Sequence, residues 1–429
     1  MRSFHAVVLF IFVGMALFGV FIFATFSAGT REAIGTVEIW GALPRESVEK
    51  VLQHVRDQRE DFSDVVYRPY TEDELVPAVV EAIAAGRGPD LVFFPGDAMV
   101  KDGDKLAPIS YDVISRREFQ DTFVEAGEVF LTPDGIAALP VVIDPMVMYW
   151  NRTLFANAAI PNPPRTWDDV AAVAPRLTER TQNGSVTIAA VPLGQWDNVA
   201  HAKRVLVTLI HQLGNPVVEQ REDGTYTASL FDAKKDGVTP AVSAVRYYAD
   251  FADPVKPMYS WNRSQKNSRD AFLAGTLAMY FAPASELLGL RAANPNLNYD
   301  VAPLPTARLG GKEVAADVVG VAIARGAPNP RGAYLVATVL ASPEQQLVFA
   351  TELELPSPRR DVEVSDTSDP YWTVFRASAL RSFTFLDPDP PATNAIFSRM
   401  IENIASGRSA LSDAVRDAHD ELRELVGVR

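Results

Sequence analysis

Between residues 37 and 95 the chain alternates short apolar runs with amphipathic ones, and this order constrains its fold more than any other feature. Residues 37–40 read as a strand. Residues 45–59 set Val48, Val51, Leu52 and Val55 at helical spacing. Residues 64–70 read as a second strand, and 72–85 as a second helix closed by Gly86. Residues 89–95 form a strand apolar on both faces, as in a parallel sheet covered by helices on each side. A β-α-β-α-β order predicts an α/β lobe.

The pattern continues after Pro140 with an apolar strand over 141–150. Pro161, Pro163 and Pro164 mark a loop, and Thr166 is placed to cap a helix reaching Leu177. A strand over 186–191 and a helix over 199–213 follow, then a long, mostly helical region to Leu290. Strands are expected at 299–305 and 318–324, and helices at 331–340, 344–352, 395–404 and 409–426. The chain of 429 residues exceeds what one compact core holds, so two lobes are expected.

Charge and cysteine usage narrow the function. The net charge of -14 argues against a nucleic-acid partner, because phosphate binding needs basic patches. The absence of cysteine removes thiol catalysis, disulfides and thiolate metal sites together. The five histidines are dispersed, and no glycine-rich phosphate loop follows a strand. No cofactor or metal is therefore expected.

Residues 6–26 carry no charge over 21 positions. At about 1.5 Å per residue this run spans a bilayer core. It exceeds the apolar region of a cleavable signal, which is about 7–15 residues. Arg2 precedes it, which places the N-terminus in the cytoplasm and the rest of the chain outside. The expectation is a single-pass membrane anchor over 1–35, with a cleaved signal as the alternative.

The order of landmarks resembles the extracellular solute-binding proteins of ABC importers, of the maltodextrin-binding type. Gly88-Pro89-Asp90-Leu91-Val92 is similar to the family's Pro-Asp apolar strand. Gly103 to Ile109, and Asp134 to Pro140 followed by Met148 to Phe155, resemble two further motifs. Pro164-Arg165-Thr166-Trp167-Asp168-Asp169 resembles a fourth. Phe272, Gly275, Ala278 and Met279 resemble the next, with Thr276 in place of the usual lysine. Ala405-Ser406-Gly407-Arg408 and Ala414 to Ala418 resemble the closing helix pair. The likeness covers nearly everything after Thr36.

This resemblance implies an α/β, two-lobed periplasmic-binding-protein fold with a central ligand cleft and hinge crossovers. Crossovers are expected at 141–145 and near 299–303 and 341–345. The lobes are then 36–142 with 301–342, and 143–300 with 343–429. The implied activity is capture of a small solute by hinge closure, with no catalysis, and delivery to the permease subunits of an ABC importer. The solute class it implies is a mono- or oligosaccharide, held by a monomer. A polyamine, amino-acid derivative or polyol phosphate, or a sensor role, are the alternatives.

Ligands of open α/β sheets sit at the carboxyl ends of strands. Trp40 and Gly41 end the first strand, Asp97 follows the third, and Asp144 ends the strand after Pro140. In the resembling family the position of Asp144 is a carboxylate that binds sugar hydroxyls. Gln195, Trp196 and Asp197 combine a ring with polar groups in one loop, suited to a pyranose face and its hydroxyls. Ala282, Pro283 and Ser285 match a ligand-facing family loop that often carries aromatic rings. Trp261 is a substitute ring, and Asn394 lies near a family position that is frequently aromatic. The bland alternatives are a turn cap for Asp97, a hinge turn for Asp144, and core packing for Trp40, Trp196 and Trp261.

Overall fold

The structure is a computed structural model that describes residues 34–221, 223–231, 239–308, 311–364 and 369–427. The apolar run over 6–26 lies outside the described residues, and no described helix is long and apolar enough to cross a membrane.

Among the described residues, nine strands join in one sheet. They are β1 (Val37–Gly41), β2 (Val65–Pro69), β3 (Leu91–Pro95), β4 (Leu106–Ala107), β5 (Ala138–Asn151), β6 (Met279–Pro283), β7 (Tyr299–Pro303), β8 (Val314–Ala324) and β9 (Ser382–Phe383). β1 runs parallel to β2 and to β3, and β8 closes that half antiparallel to β3. β3 is buried from Leu91 to Phe94, as a doubly apolar strand requires.

β5 joins the two halves of the sheet. Its 14 residues are buried everywhere except at Asp144. From Ala138 to Pro145 it pairs with β8. From Met146 onward it pairs instead with β6 on one side and β7 on the other. The strand thus leaves one half and enters the other within a few residues of Asp144. The β5–β8 register slips at Val319/Gly320. A side chain at Gly320 would come within 2.7 Å of the Ala138 Cβ, so only glycine allows the strands to approach there.

Helices cover both halves. α1 (Arg45–Gln58) buries Val48, Val51, Leu52 and Val55, the stripe set by their spacing. After α2 (Glu72–Ala84) and the short α3 (Met99–Asp102), α4 (Trp167–Leu177) starts with a reciprocal capping box between Thr166 and Asp169. α5 (Ala202–Gln212), α6 (Glu286–Ala293), α7 (Pro330–Leu340), α8 (Pro343–Leu353), α9 (Pro390–Ala405) and α10 (Leu411–Gly427) complete the set used below.

One expectation is corrected. The region before Leu290 is not mostly helical: it contains a hairpin, Val218–Gln220 with Tyr226–Ala228, and the strand β6. β6 is five consecutive buried residues, and a short apolar run carries no period that separates strand from helix. The expected lobe boundary at 342 falls between α7 and α8. α8 packs on α1, with Lys50 Nζ 2.9 Å from Glu352 Oε2, and Phe349 meets Phe93 of β3 edge-on at 6.1 Å. Its apolar face therefore belongs to the half built on β1–β3.

Candidate functional site

The junction between the halves gathers charge. Asp144 and Asp317 are direct register partners on β5 and β8. Asp317 is the single charge in the eleven residues of β8. Arg204, in the first turn of α5, donates through Nε (2.9 Å) and Nη2 to the two carboxylate oxygens of Asp317. This fork is the geometry in which a guanidinium binds a carboxylate most strongly. The backbone N–H of Ser285 donates to Asp144 Oδ1 at 3.0 Å.

Burial pushes the Asp144 carboxyl up to about 7, and the neighbouring Asp317 charge adds to the rise. Asp97, in the turn after β3, is pushed up to about 6. Burial is its chief cause, followed by the charges of Asp317 and Asp387, with Lys203 and Arg204 opposing them. Asp97 therefore lies within electrostatic reach of side chains from β8, from α5 and from the segment before α9.

Lys203 anchors that last segment. Its ammonium donates to Asp387 Oδ2 at 2.5 Å, to Pro390 O at 3.1 Å and to the Thr393 hydroxyl at 3.1 Å. A second pair joins the halves directly: Lys101 Nζ of α3 lies 2.6 Å from Asp389 Oδ2, whose side chain also caps α9. His201, the N-cap of α5, has φ +58 in the left-handed region. Its ring sits between Arg204 Nη1 (3.2 Å) and Glu286 Oε1 (3.3 Å). Arg269 Nε donates to Glu286 Oε2 at 2.8 Å. The hydrogen bond from His201, helped by Arg269, pulls Glu286 down to about 2 despite its burial. A strained residue held between charged partners is typical of a functional position.

The expected site residues divide. Asp97, Asp144 and Ser285 fall in or beside this cluster. Trp40 is buried against Tyr70, ring centroids 5.0 Å apart. Gly41 leaves room for Phe93, which a Cβ there would meet at 2.8 Å. Trp261 is fully buried, and its indole N–H donates to Asn198 at 2.9 Å. Trp196 is buried 6.2 Å from Phe397. Gln195 offers its backbone carbonyl to the Tyr248 hydroxyl at 2.7 Å, while Asp197 is exposed. Ala282 and Pro283 are buried strand residues paired with Val147 and Met146. Asn394 is exposed on α9.

Sequence reasoning did not single out Lys203, Arg204, Asp317 or Asp387. One signal was available: a lone aspartate inside an apolar strand, Val314-Ala315-Ala316-Asp317-Val318-Val319, has no packing reason to be there. Lys203 and Arg204 similarly interrupt a helix that is buried from Val205 to Ile210.

A sheet in two halves joined through β5, with opposed charged groups at the junction, defines a two-lobed α/β binding protein. The chain belongs to the bacterial extracellular solute-binding protein family, whose model matches residues 57–375. Binding proteins of Brucella abortus strain 2308 and Brucella suis biovar 1 are 30% identical to it over 109 residues, 24% of this chain. That match spans 26% of those relatives' own length.

Solved structures are similar over nearly the whole chain. The cyclic α-maltosyl-1,6-maltose binding protein of Arthrobacter globiformis has a TM-score of 0.75 at 16% identity, covering 92% of this chain and 99% of its own. The sugar-binding protein MalE of Xanthomonas citri has a TM-score of 0.74 at 17% identity, covering 92% and 98%. The GacH receptor of Streptomyces glaucescens, solved unliganded and with acarbose, has a TM-score of 0.71 at 18% identity, covering 92% and 98%. At these identities the likeness shows the two-lobed fold.

Proposed function

We propose that the protein captures a carbohydrate in a cleft between its lobes, closes around it by a hinge at Asp144–Pro145 and delivers it to an ABC importer. It acts as a binder and not as an enzyme. The observation that carries the reading is the meeting of Asp97, Asp144, Asp317, Lys203 and Arg204 at the junction of the two halves. Carboxylates accept hydroxyl protons, and Lys and Arg donate to hydroxyl oxygens, so the set suits a polyhydroxylated neutral solute. The sugars named for the similar structures support the same class.

The lobes we propose are 34–143 with 314–353, and 146–308 with 372–427. This division keeps α8 with α1. In this reading the apolar run over 6–26 tethers the protein to the outer face of the cell membrane as a monomer.

A polyamine is the second reading, favoured by the excess of Asp97, Asp144, Asp317 and Asp387 over Lys203 and Arg204. A thermal-shift screen of residues 31–429 with mono- and oligosaccharides and with spermidine separates the two. A ligand that binds only the folded state adds about 2.7 kcal/mol at a hundredfold excess over its Kd. A saccharide shift lost in Asp144→Asn supports the carbohydrate reading. A shift with spermidine alone replaces it.

A further inference from the structure

His201 has a backbone that its side chain does not explain. It precedes α5 at φ +58, in the left-handed region that a non-glycine residue enters only where its surroundings hold it there. Serine, threonine, aspartate and asparagine are the usual N-caps, yet this imidazole makes no capping bond to α5. The loop before it is pinned by one residue: the Ser268 N–H donates to Asn198 O at 2.9 Å, and the Ser268 hydroxyl accepts from the Ala200 N–H at 2.8 Å. Arg269, the next residue, pairs with Glu286. The segment that pins the strained backbone therefore also fixes the carboxylate that meets the ring.

The two neighbours of the ring demand the same tautomer. A guanidinium only donates, so Nδ1 of His201 accepts from Arg204 Nη1 at 3.2 Å. Glu286, paired with Arg269, is a carboxylate and only accepts, so Nε2 of the ring carries the hydrogen and donates to Oε1 at 3.3 Å. A guanidinium has five N–H donors. In Arg204 two fork onto Asp317 and one goes to His201. Two therefore remain without a partner among the described residues, on a partly exposed guanidinium whose charge reaches Asp144 and Asp97.

We propose that His201 is a positioning residue for the cleft: its ring relays the Glu286–Arg269 pair to Arg204 and so fixes the direction of the two free N–H donors that solute hydroxyls meet. The identity of the solute rests on the carbohydrate reading above, whereas the orientation of Arg204 is a property of the unliganded protein. Without the ring the guanidinium keeps its fork on Asp317 but loses the contact that stops its Nη1 group from turning. A ligand must then order that group on binding, which weakens affinity.

Nitrogen-15 NMR of the full chain tests the relay without a ligand, with the Arg204 signals assigned by their loss in Arg204→Gln. The His201 ring of the wild-type protein carries its hydrogen on Nε2. Asparagine tolerates the left-handed backbone but is too short to reach both partners, so His201→Asn keeps the circular dichroism spectrum. The Arg204 guanidinium rotates about tenfold faster in that variant, the effect of one lost hydrogen bond. Calorimetric titration with maltotetraose reads the consequence. Affinity falls about tenfold in His201→Asn and in Arg204→Gln, and the double variant is no weaker than Arg204→Gln alone, because residues that act through one contact are not additive. A hydrogen on Nδ1, an unchanged rotation rate in His201→Asn, or losses that add in the double variant overturns the proposal. If maltotetraose does not bind the wild-type protein, the carbohydrate reading loses its support, and the rotation rate decides whether His201 holds Arg204.

Discussion

Asp144 and Asp317 face each other as direct partners on two antiparallel strands, and Arg204 forks onto only one of them. Like charges opposite each other in a sheet are destabilising. The arrangement leaves Asp144 as the carboxylate without a forked cation, held by the backbone N–H and the side chain of Ser285.

Removing the guanidinium tests this coupling. Arg204→Gln is expected to cost about 1 kcal/mol, because the pair is partly exposed. It also raises the Asp144 midpoint further, since Arg204 opposes the rise. Carboxyl-carbon NMR titration of Asp144 reads the midpoint. A downward shift contradicts the account.

The pH dependence follows from the same groups. In the folded chain Asp97 titrates at about 6 and Asp144 at about 7, both above the ordinary 3.8. Between about pH 4 and 7 the folded state therefore holds protons that the unfolded state has released, and stability falls as pH rises. Melting temperatures of the unliganded protein should decline across this window, and Asp97→Asn/Asp144→Asn should flatten the decline. Affinity for a polyhydroxyl ligand should rise through the same window as the carboxylates form.

Buried tryptophan separates packing from binding. Trp261→Ala should lose about 3–5 kcal/mol in urea denaturation, because a fully buried indole and its bond to Asn198 are removed. Ser285→Ala should raise the Asp144 midpoint further in the same NMR titration, since the Ser285 hydroxyl and its backbone N–H both favour the carboxylate.

Most of the scaffold was legible because its elements carry their own periods. The stripe of α1, the doubly apolar β3 and the Thr166 cap each fix a local structure from a few neighbouring residues. The charged cluster at the junction was legible only where a residue ends a strand, as with Asp97 and Asp144. Arg204 meets Asp317 across 113 positions, and Lys203 meets Asp387 across 184. No local pattern encodes such a meeting. A large ring in a loop suits a sugar and a core equally well, and Trp196 and Trp261 are both buried.

The Lys101–Asp389 pair joins α3 to the start of α9 across the proposed lobes. Exposed pairs contribute about 0.2–1 kcal/mol. Lys101→Met should therefore weaken ligand affinity by roughly twofold to fivefold and raise the radius of gyration of the unliganded protein in X-ray scattering. An unchanged radius and affinity would show that the pair does not hold the lobes together.

Lobe closure on a carbohydrate is the central claim, and the absence of native cysteine allows it to be measured directly. Val113 and Val255 are exposed on the two proposed lobes, so Val113→Cys/Val255→Cys accepts one donor and one acceptor dye. Single-molecule energy transfer is then followed while saccharides are added. The account predicts a saccharide-dependent shift to a single new transfer efficiency, with a midpoint that moves about tenfold to a hundredfold upward in Asp144→Asn. Saccharide binding without any change in transfer, or a change that Asp144→Asn leaves untouched, would contradict it.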